Sequence, residues 1–198
     1  MSDQHAFMHS RADHETLAPD AESWTYFGIP MNLSFAQATE NDAGEIALLR
    51  NAAADALTLR HGEGSWSWKA TERGVLRELS RPRFSRTIIA RDDRKIVATL
   101  CLQTKKPWAI DIAYFTPVKK AVYLINMAVD PARQRQGLGR MLLKEAESLA
   151  KQWPANAVRL DAWDGPAGAG DFYSKCGFRE VGRVIYRKAP LIYLELVI

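Results

Sequence analysis

Strand and helix signals alternate along this chain in an order that predicts an α/β domain with a mostly antiparallel sheet. Three observations carry the prediction. An apolar run, Ala121 to Val129, leads into Gln134-Arg135-Gln136-Gly137-Leu138-Gly139 and a helical pattern from about Leu138, the order strand, tight turn, helix. Upstream, Thr87 to Arg91 and Lys95 to Gln103 flank Asp92-Asp93-Arg94 as the arms of a hairpin. Downstream, Val158 to Trp163 is a further apolar strand, and Arg183 to Ile198 supplies two more with Pro190 between them.

The remaining elements follow in order. Leu33 to Ala38 is a short first strand, and Glu40-Asn41-Asp42 offers cap-type residues for a helix. In that helix Ile46, Leu49, Ala53 and Leu57 recur at helical spacing to about Arg60, and His61-Gly62-Glu63-Gly64 ends it. After Ser65-Trp66-Ser67-Trp68 a second helix is expected over Thr71 to Leu79. Lys105 to Lys120 is less regular and is expected to hold a bend, an extra hairpin arm, or both. Residues 1–32 lack an apolar period and form an acidic extension to a domain over 33–198. Within it Trp24, Tyr26 and Phe27 are expected to dock on the body or on a partner chain. His5, His9 and His14 have spacings that admit a metal, but a polar segment without cysteine rarely fixes ligand geometry, and a solvated tail is the expectation.

Composition narrows the class. A 198-residue chain with 47% hydrophobic and 25% charged residues fits one soluble globular domain. No apolar run is long enough for a membrane span, and no basic-then-apolar N-terminal signal is visible. Cys101 and Cys176 sit in apolar surroundings with no histidine near them in sequence, the pattern of free thiols in a reducing, cytoplasmic compartment. The net charge of +4 is uneven: residues 1–32 hold five acids against one base, and the body carries 26 bases against 18 acids. A positive body suits a polyanionic ligand. Zinc-finger spacing, an aromatic RNA-binding motif and a dense basic helix are all missing, so nucleic acid is not the expected partner.

The glycine turn names the ligand class. A helix N-terminus presents unpaired N–H groups and partial positive charge, glycines let the backbone approach closely, and Arg135 and Arg140 flank the turn. The segment therefore suits a pyrophosphate. The dinucleotide fingerprint needs a third glycine where Leu142 stands, and no Gly-Lys-Ser or Gly-Lys-Thr occurs for a P-loop. What remains, Gln-x-x-Gly-x-Gly after a strand, resembles the coenzyme A signature of the GNAT acetyltransferases. Phe172-Tyr173-Ser174-Lys175-Cys176-Gly177-Phe178 is similar to the family's Phe-Tyr-x-x-x-Gly-Phe segment. The resemblance runs from about Leu33 to Ile198. It implies a GNAT fold: a mixed, mostly antiparallel sheet of about seven strands, splayed centrally, with helices on both faces.

The resemblance also implies a site. Met127, Ala128 and Val129 would present backbone groups to the pantetheine arm and thioester of acetyl-CoA, and Gln134, Arg135, Gln136, Gly137, Leu138, Gly139 and Arg140 would hold its pyrophosphate. Tyr173 corresponds to the family's general acid, whose hydroxyl lies near the thioester sulfur. The glutamate that many members carry early on the cofactor strand is replaced by Tyr123, so no base is assigned; Asp111, Asp161, Asp164 and a water chain are the alternatives. Pro166 stands about where many members have an asparagine on the cofactor arm. Acceptor specificity in the family comes from the first helix pair, its loop and the hairpin before the cofactor strand, regions that here hold Trp66, Trp68, Trp108, Tyr114 and Phe115. Of these Trp66, Trp68 and Tyr114 are the expected substrate contacts. The expected function is direct acetyl transfer to a primary amine of a small molecule or peptide through a ternary complex, without a metal. A non-catalytic acyl-CoA sensor is the alternative. The apolar C-terminal strand Leu191 to Ile198 is a candidate surface for a homodimer.

Overall fold

The computed structural model describes residues 24–26 and 29–198. A small hairpin, β1 (Trp24–Tyr26) and β2 (Ile29–Met31), precedes β3 (Leu33–Gln37). Helices α1 (Ala43–His61) and α2 (Glu72–Leu79) follow, then the hairpin β4 (Ser85–Asp92) and β5 (Lys95–Gln103). The chain continues through β6 (Ala121–Val129), α3 (Leu138–Gln152), β7 (Ala157–Trp163), α4 (Gly170–Lys175), β8 (Arg179–Tyr186) and β9 (Ala189–Val197). His5, His9, His14, Phe27 and the side chains of Trp24 and Tyr26 lie outside the described residues.

Local chemistry sets the helix starts. Asp42 accepts the Thr39 N–H at 2.7 Å before α1, and the Thr71 hydroxyl accepts the Gly74 N–H at 3.1 Å at the start of α2. The main sheet runs β3-β4-β5-β6-β7-β9-β8, and every neighbouring pair is antiparallel except β6 with β7. That parallel contact lasts three residue pairs, from Ala121 with Ala157 to Tyr123 with Arg159, and then the strands part. β6 stays on β5 as far as Val129, while β7 stays on β9 as far as Trp163. The result is a sheet split at its centre.

Helices clamp the two faces. On one side α3 packs Leu138, Leu142, Leu143, Ala146 and Ala150 onto the strands, and burying a leucine such as Leu142 stabilises by about 1.5–3 kcal/mol. On the other side Ile46, Leu49 and Ala53 of α1 and Val75 of α2 meet Ile89, Ile96 and Ala128. A third cluster, Ile110, Phe115, Tyr123 and Tyr193, ties the loop after β5 to the sheet. Beneath that loop Arg159 pairs with Glu195 at 3.0 Å, both buried.

Of the alternatives for residues 105–120 the chain takes the bend, without a hairpin arm, and holds one 3₁₀ turn, Ile112–Tyr114, capped by Asp111. Two expectations are corrected. Pro190 does not divide the last two strands but lies inside β9, and the turn is Arg187-Lys188, both with left-handed φ of 49° and 71°. β9 is hydrogen-bonded on both sides, to β7 and β8, so the C-terminal strand has no edge for another chain; β8 is the edge strand at that end of the sheet.

Candidate active site

The split opens one side of β6 where the strand is irregular. Thr99 pairs with Ala128 and Cys101 with Ile125, so two residues of β6, Asn126 and Met127, stand opposite Leu100 alone. This is a β-bulge, and Asn126 takes the left-handed φ of 54° that it requires. Past the bulge, Ala128 and Val129 pair with Thr99 and Ala98 of β5 on one side and, with Met127 of the bulge, face the split on the other.

The glycine turn lies at the end of this edge. Asp130 accepts the Ala132 N–H at 3.0 Å and the Lys95 ammonium at 2.6 Å, fixing the chain as it leaves β6. Burial alone would raise the Asp130 pKa, but these bonds and the Lys95 charge outweigh it and lower the value. The Gln134 amide donates to the Val129 carbonyl at 3.4 Å and the Gln136 amide to the Ala132 carbonyl at 3.3 Å, so both glutamines fold the turn on itself. Gly137 is the α3 N-cap at φ 83°, a conformation that side-chain-bearing residues resist. A Cβ on Gly139 would stand 3.0 Å from Phe172 Cζ and 3.2 Å from Met127 Cε. The two sequence motifs and β6 therefore touch at this glycine, and Arg140 lies beside Cys176 of the second motif. The turn delivers the first-turn N–H groups of a 15-residue helix to the open edge of β6.

Tyr173 points into the same opening. Its ring is buried against Phe172 and Phe178, and its hydroxyl donates to the Met127 thioether at 3.6 Å. Burial, followed by the charges of Cys176 and Asp161, pushes its pKa well above the usual phenol value, so the hydroxyl stays protonated.

On the opposite face a cavity of about 540 Å³ reaches from the α1–α2 loop to β6. Arg50, Trp66, Glu78, Asn126 and Met127 line it, with Trp68 at the exposed rim. Its cover is pinned: Asn51 exchanges two hydrogen bonds with Ala70, and Thr58 and Ser67 share one at 2.8 Å. Trp66 donates to the Gly62 carbonyl and meets the edge of Trp163 at 5.3 Å. At the floor Glu78 accepts both Arg50 terminal nitrogens, at 2.8 and 3.1 Å, the Thr87 hydroxyl at 2.6 Å and the Asn126 amide at 2.9 Å. Burial would raise the Glu78 pKa; Arg50, then Thr87 and Asn126, outweigh it and hold the group ionised.

Of the residues singled out in the sequence, the structure gathers Met127, Ala128, Val129, residues 134–140 and Tyr173 around the split, and brings Trp66 and Trp68 to the cavity. Tyr114 stands apart from that cavity, its ring against Gly182 and Tyr193. Trp108 is exposed and Phe115 is core. Arg50, Glu78 and Asn126 were not singled out: Arg50 is one of several charged residues along α1, Glu78 one of four on the short amphipathic α2, and Asn126 a lone amide in an apolar strand. Among the described residues no cluster of metal-ligating side chains occurs, and no helix is long and apolar enough to cross a membrane.

The fold has counterparts among solved structures. The PaiA N-acetyltransferase of Thermoplasma acidophilum, in complex with coenzyme A, superposes with a TM-score of 0.66 at 16% identity, covering 84% of this chain and 99% of its own. YncA of Salmonella typhimurium, solved with acetyl-CoA, gives 0.64 at 16%, covering 83% and 93%. The Escherichia coli ribosomal-protein-S18-alanine N-acetyltransferase gives 0.63 at 19%, covering 84% and 94%. At these identities the likeness is one of fold. No curated protein sequence matches the chain. The model of the acetyltransferase (GNAT) family matches residues 49–178, from within α1 to the end of the Phe-Tyr segment. With more than half of its length under that match, the chain belongs to the GNAT acetyltransferase family.

Proposed function

We propose that the protein transfers the acetyl group of acetyl-CoA directly to a primary amine of a small molecule or peptide, with both substrates bound at once. The observation that carries this reading is the meeting of three features at one opening: the edge of β6 that is unpaired among the described residues after its bulge, the N-terminus of α3, and the Tyr173 hydroxyl. Acetyl-CoA supplies the acyl group as a thioester. The first-turn N–H groups of α3, with Arg135 and Arg140, hold its pyrophosphate, and the φ of Gly137 keeps side chains out of the way. Backbone groups of Met127, Ala128 and Val129 bind the arm, and an N–H there meets the negative charge that develops on the acetyl oxygen.

Tyr173 donates first a hydrogen bond and then its proton to the departing sulfur. Burial raises the phenol pKa, and the same low-dielectric surroundings raise that of a thiol, so donor and acceptor stay matched. The amine enters from the opposite face, through the cavity beneath Trp66 and Trp68. Two free cysteines fit a reducing, cytoplasmic setting.

Calorimetric titration of acetyl-CoA tests the reading. Wild type should bind in the micromolar range, and Gly137→Trp should remain folded and lose binding. Tyr173→Phe should keep the affinity and lose about 10²–10⁴-fold in turnover. Absence of binding by wild type would refute the proposal.

A further inference from the structure

The geometry points to Asp161 as the group that takes a proton from the incoming amine, an inference that rests on the acetyl-transfer reading and names a residue it leaves open. A primary amine arrives at neutral pH as an ammonium ion, with no free electron pair. Its deprotonation needs a carboxylate near the split whose oxygens are not already committed to donors of the protein.

Most of the carboxylates around the site fail that requirement. Glu78 accepts four hydrogen bonds, two of them from Arg50. Asp130 holds Lys95 and the Ala132 N–H. Asp164 takes Arg183 at 2.8 and 3.0 Å, and Asp111 caps the 3₁₀ turn through the Ala113 N–H at 3.0 Å. Asp161 differs: among the described residues its only hydrogen-bonding support is its own backbone N–H.

Its position is the right one. Asp161 stands on β7 two residues past Arg159, the last partner of β6, and so at the mouth of the split. Strand alternation puts it on the face of Arg159 and Trp163, and Trp163 touches Trp66 of the acceptor cavity. The charged and titratable groups on the neighbouring elements do not neutralise it. Arg159 is spent on Glu195 and the Thr116 carbonyl. Tyr193, opposite on β9, donates to the Ala109 carbonyl and accepts the Asp111 N–H. Tyr173 from α4 adds a buried, protonated phenol, and Tyr123 of β6 lies in one packed cluster with Tyr193. Burial outweighs the pull of the backbone N–H and raises the Asp161 pKa. Two carboxylates on the acceptor side, Glu78 held ionised and Asp161 ready to accept a proton, are thus driven apart by their environments.

The step balances. One proton passes from the ammonium to an Asp161 oxygen and on to solvent, freeing the nitrogen pair. That pair forms the C–N bond to the acetyl carbon, and the C–S pair returns to sulfur. A second nitrogen proton replaces the one Tyr173 gives to sulfur, leaving amide and neutral thiol.

The test compares wild type with Asp161→Asn in four measurements. The Asp161 carboxyl carbon resonance, assigned by its loss in the variant, should titrate above 3.8. Because the folded pKa lies above the unfolded one, the carboxylate weakens the fold at neutral pH and not in acid. The variant should therefore melt higher at pH 7, with the gap narrowing as pH falls through the folded pKa and closed below 3.8. A residue kept only for packing would melt lower when changed. Acetyl-CoA affinity should be unchanged, while thiol release in a screen of alkyl amines should fall about 10²–10⁴-fold. Titration at or below 3.8, or wild-type turnover in the variant, overturns the assignment. Failure of wild type to bind acetyl-CoA removes the reading beneath it, a different result from a wild type that binds and a variant that still turns over.

Discussion

Removing Glu78 should unfold the protein more readily than any surface substitution, and the structure sets the size of the effect. Its side chain is 12% exposed and that of Arg50 is 11% exposed. Glu78→Ala strands the guanidinium, whose Nε already has no partner among the described residues, and also frees Thr87 and Asn126. Breaking a buried pair on one side costs about 3–5 kcal/mol. For a chain of this length each kcal/mol moves the melting temperature by about 2–4 °C, so a fall of roughly 6–20 °C is expected. The pair differs from its parts: Arg50→Met with Glu78→Leu leaves no buried charge and should lie closer to wild type than either single variant. The folded pKa of Glu78 is below its ordinary 4.5, so the stabilisation is complete above that value and is lost as pH falls through the folded pKa. Urea unfolding followed by circular dichroism measures all three. A single variant within about 1 kcal/mol of wild type, or a double variant as unstable as the sum of the singles, would refute the account.

Two further substitutions probe separate parts of the fold. Gly139→Val pushes a side chain against Phe172 and Met127, should cost about 1–3 kcal/mol in urea, and should weaken acetyl-CoA binding in calorimetry because Tyr173 moves with its neighbour. Glu195→Ala leaves the buried Arg159 uncompensated and should cost about 3–5 kcal/mol; amide exchange at Thr116, whose N–H Glu195 accepts at 3.2 Å, should rise.

Much of this architecture is legible in the residues because its signals are local. A run of apolar residues, two glycines and a helical period mark β6, the turn and α3 without reference to the rest of the chain. The Phe-Tyr segment is equally visible, though its contact with Gly139 is not, since 33 positions separate Gly139 from Phe172. The β8–β9 turn is obscured by chemistry: Arg187 and Lys188 take positive φ without the glycine or asparagine that advertises it, and Pro190 nearby misdirects the reading. The loop over 105–120 is held by Glu195 and Tyr193, nearly eighty residues away or more, which no local pattern announces. Glu78 looks like one more polar residue of an amphipathic helix until α1, β4 and β6 are folded around it. Asp161 is the converse case, visible among the candidate bases but distinguished only when its rivals are seen to be engaged.

The irregularity in β6 makes the strand two lengths spliced out of phase. Before it Val122 and Leu124 face α3; after it Met127 and Val129 do so, which unbroken alternation would forbid. Removing Asn126 alone would rejoin the lengths in phase and leave every core side chain on the face it now occupies. What would go is the extra peptide itself. Along a strand the N–H and C=O directions follow the side-chain faces, and Leu124 opposite Leu102 and Val129 opposite Ala98 already keep one phase against β5, so the deletion would remove only one backbone unit beside the split and the amide that reaches Glu78.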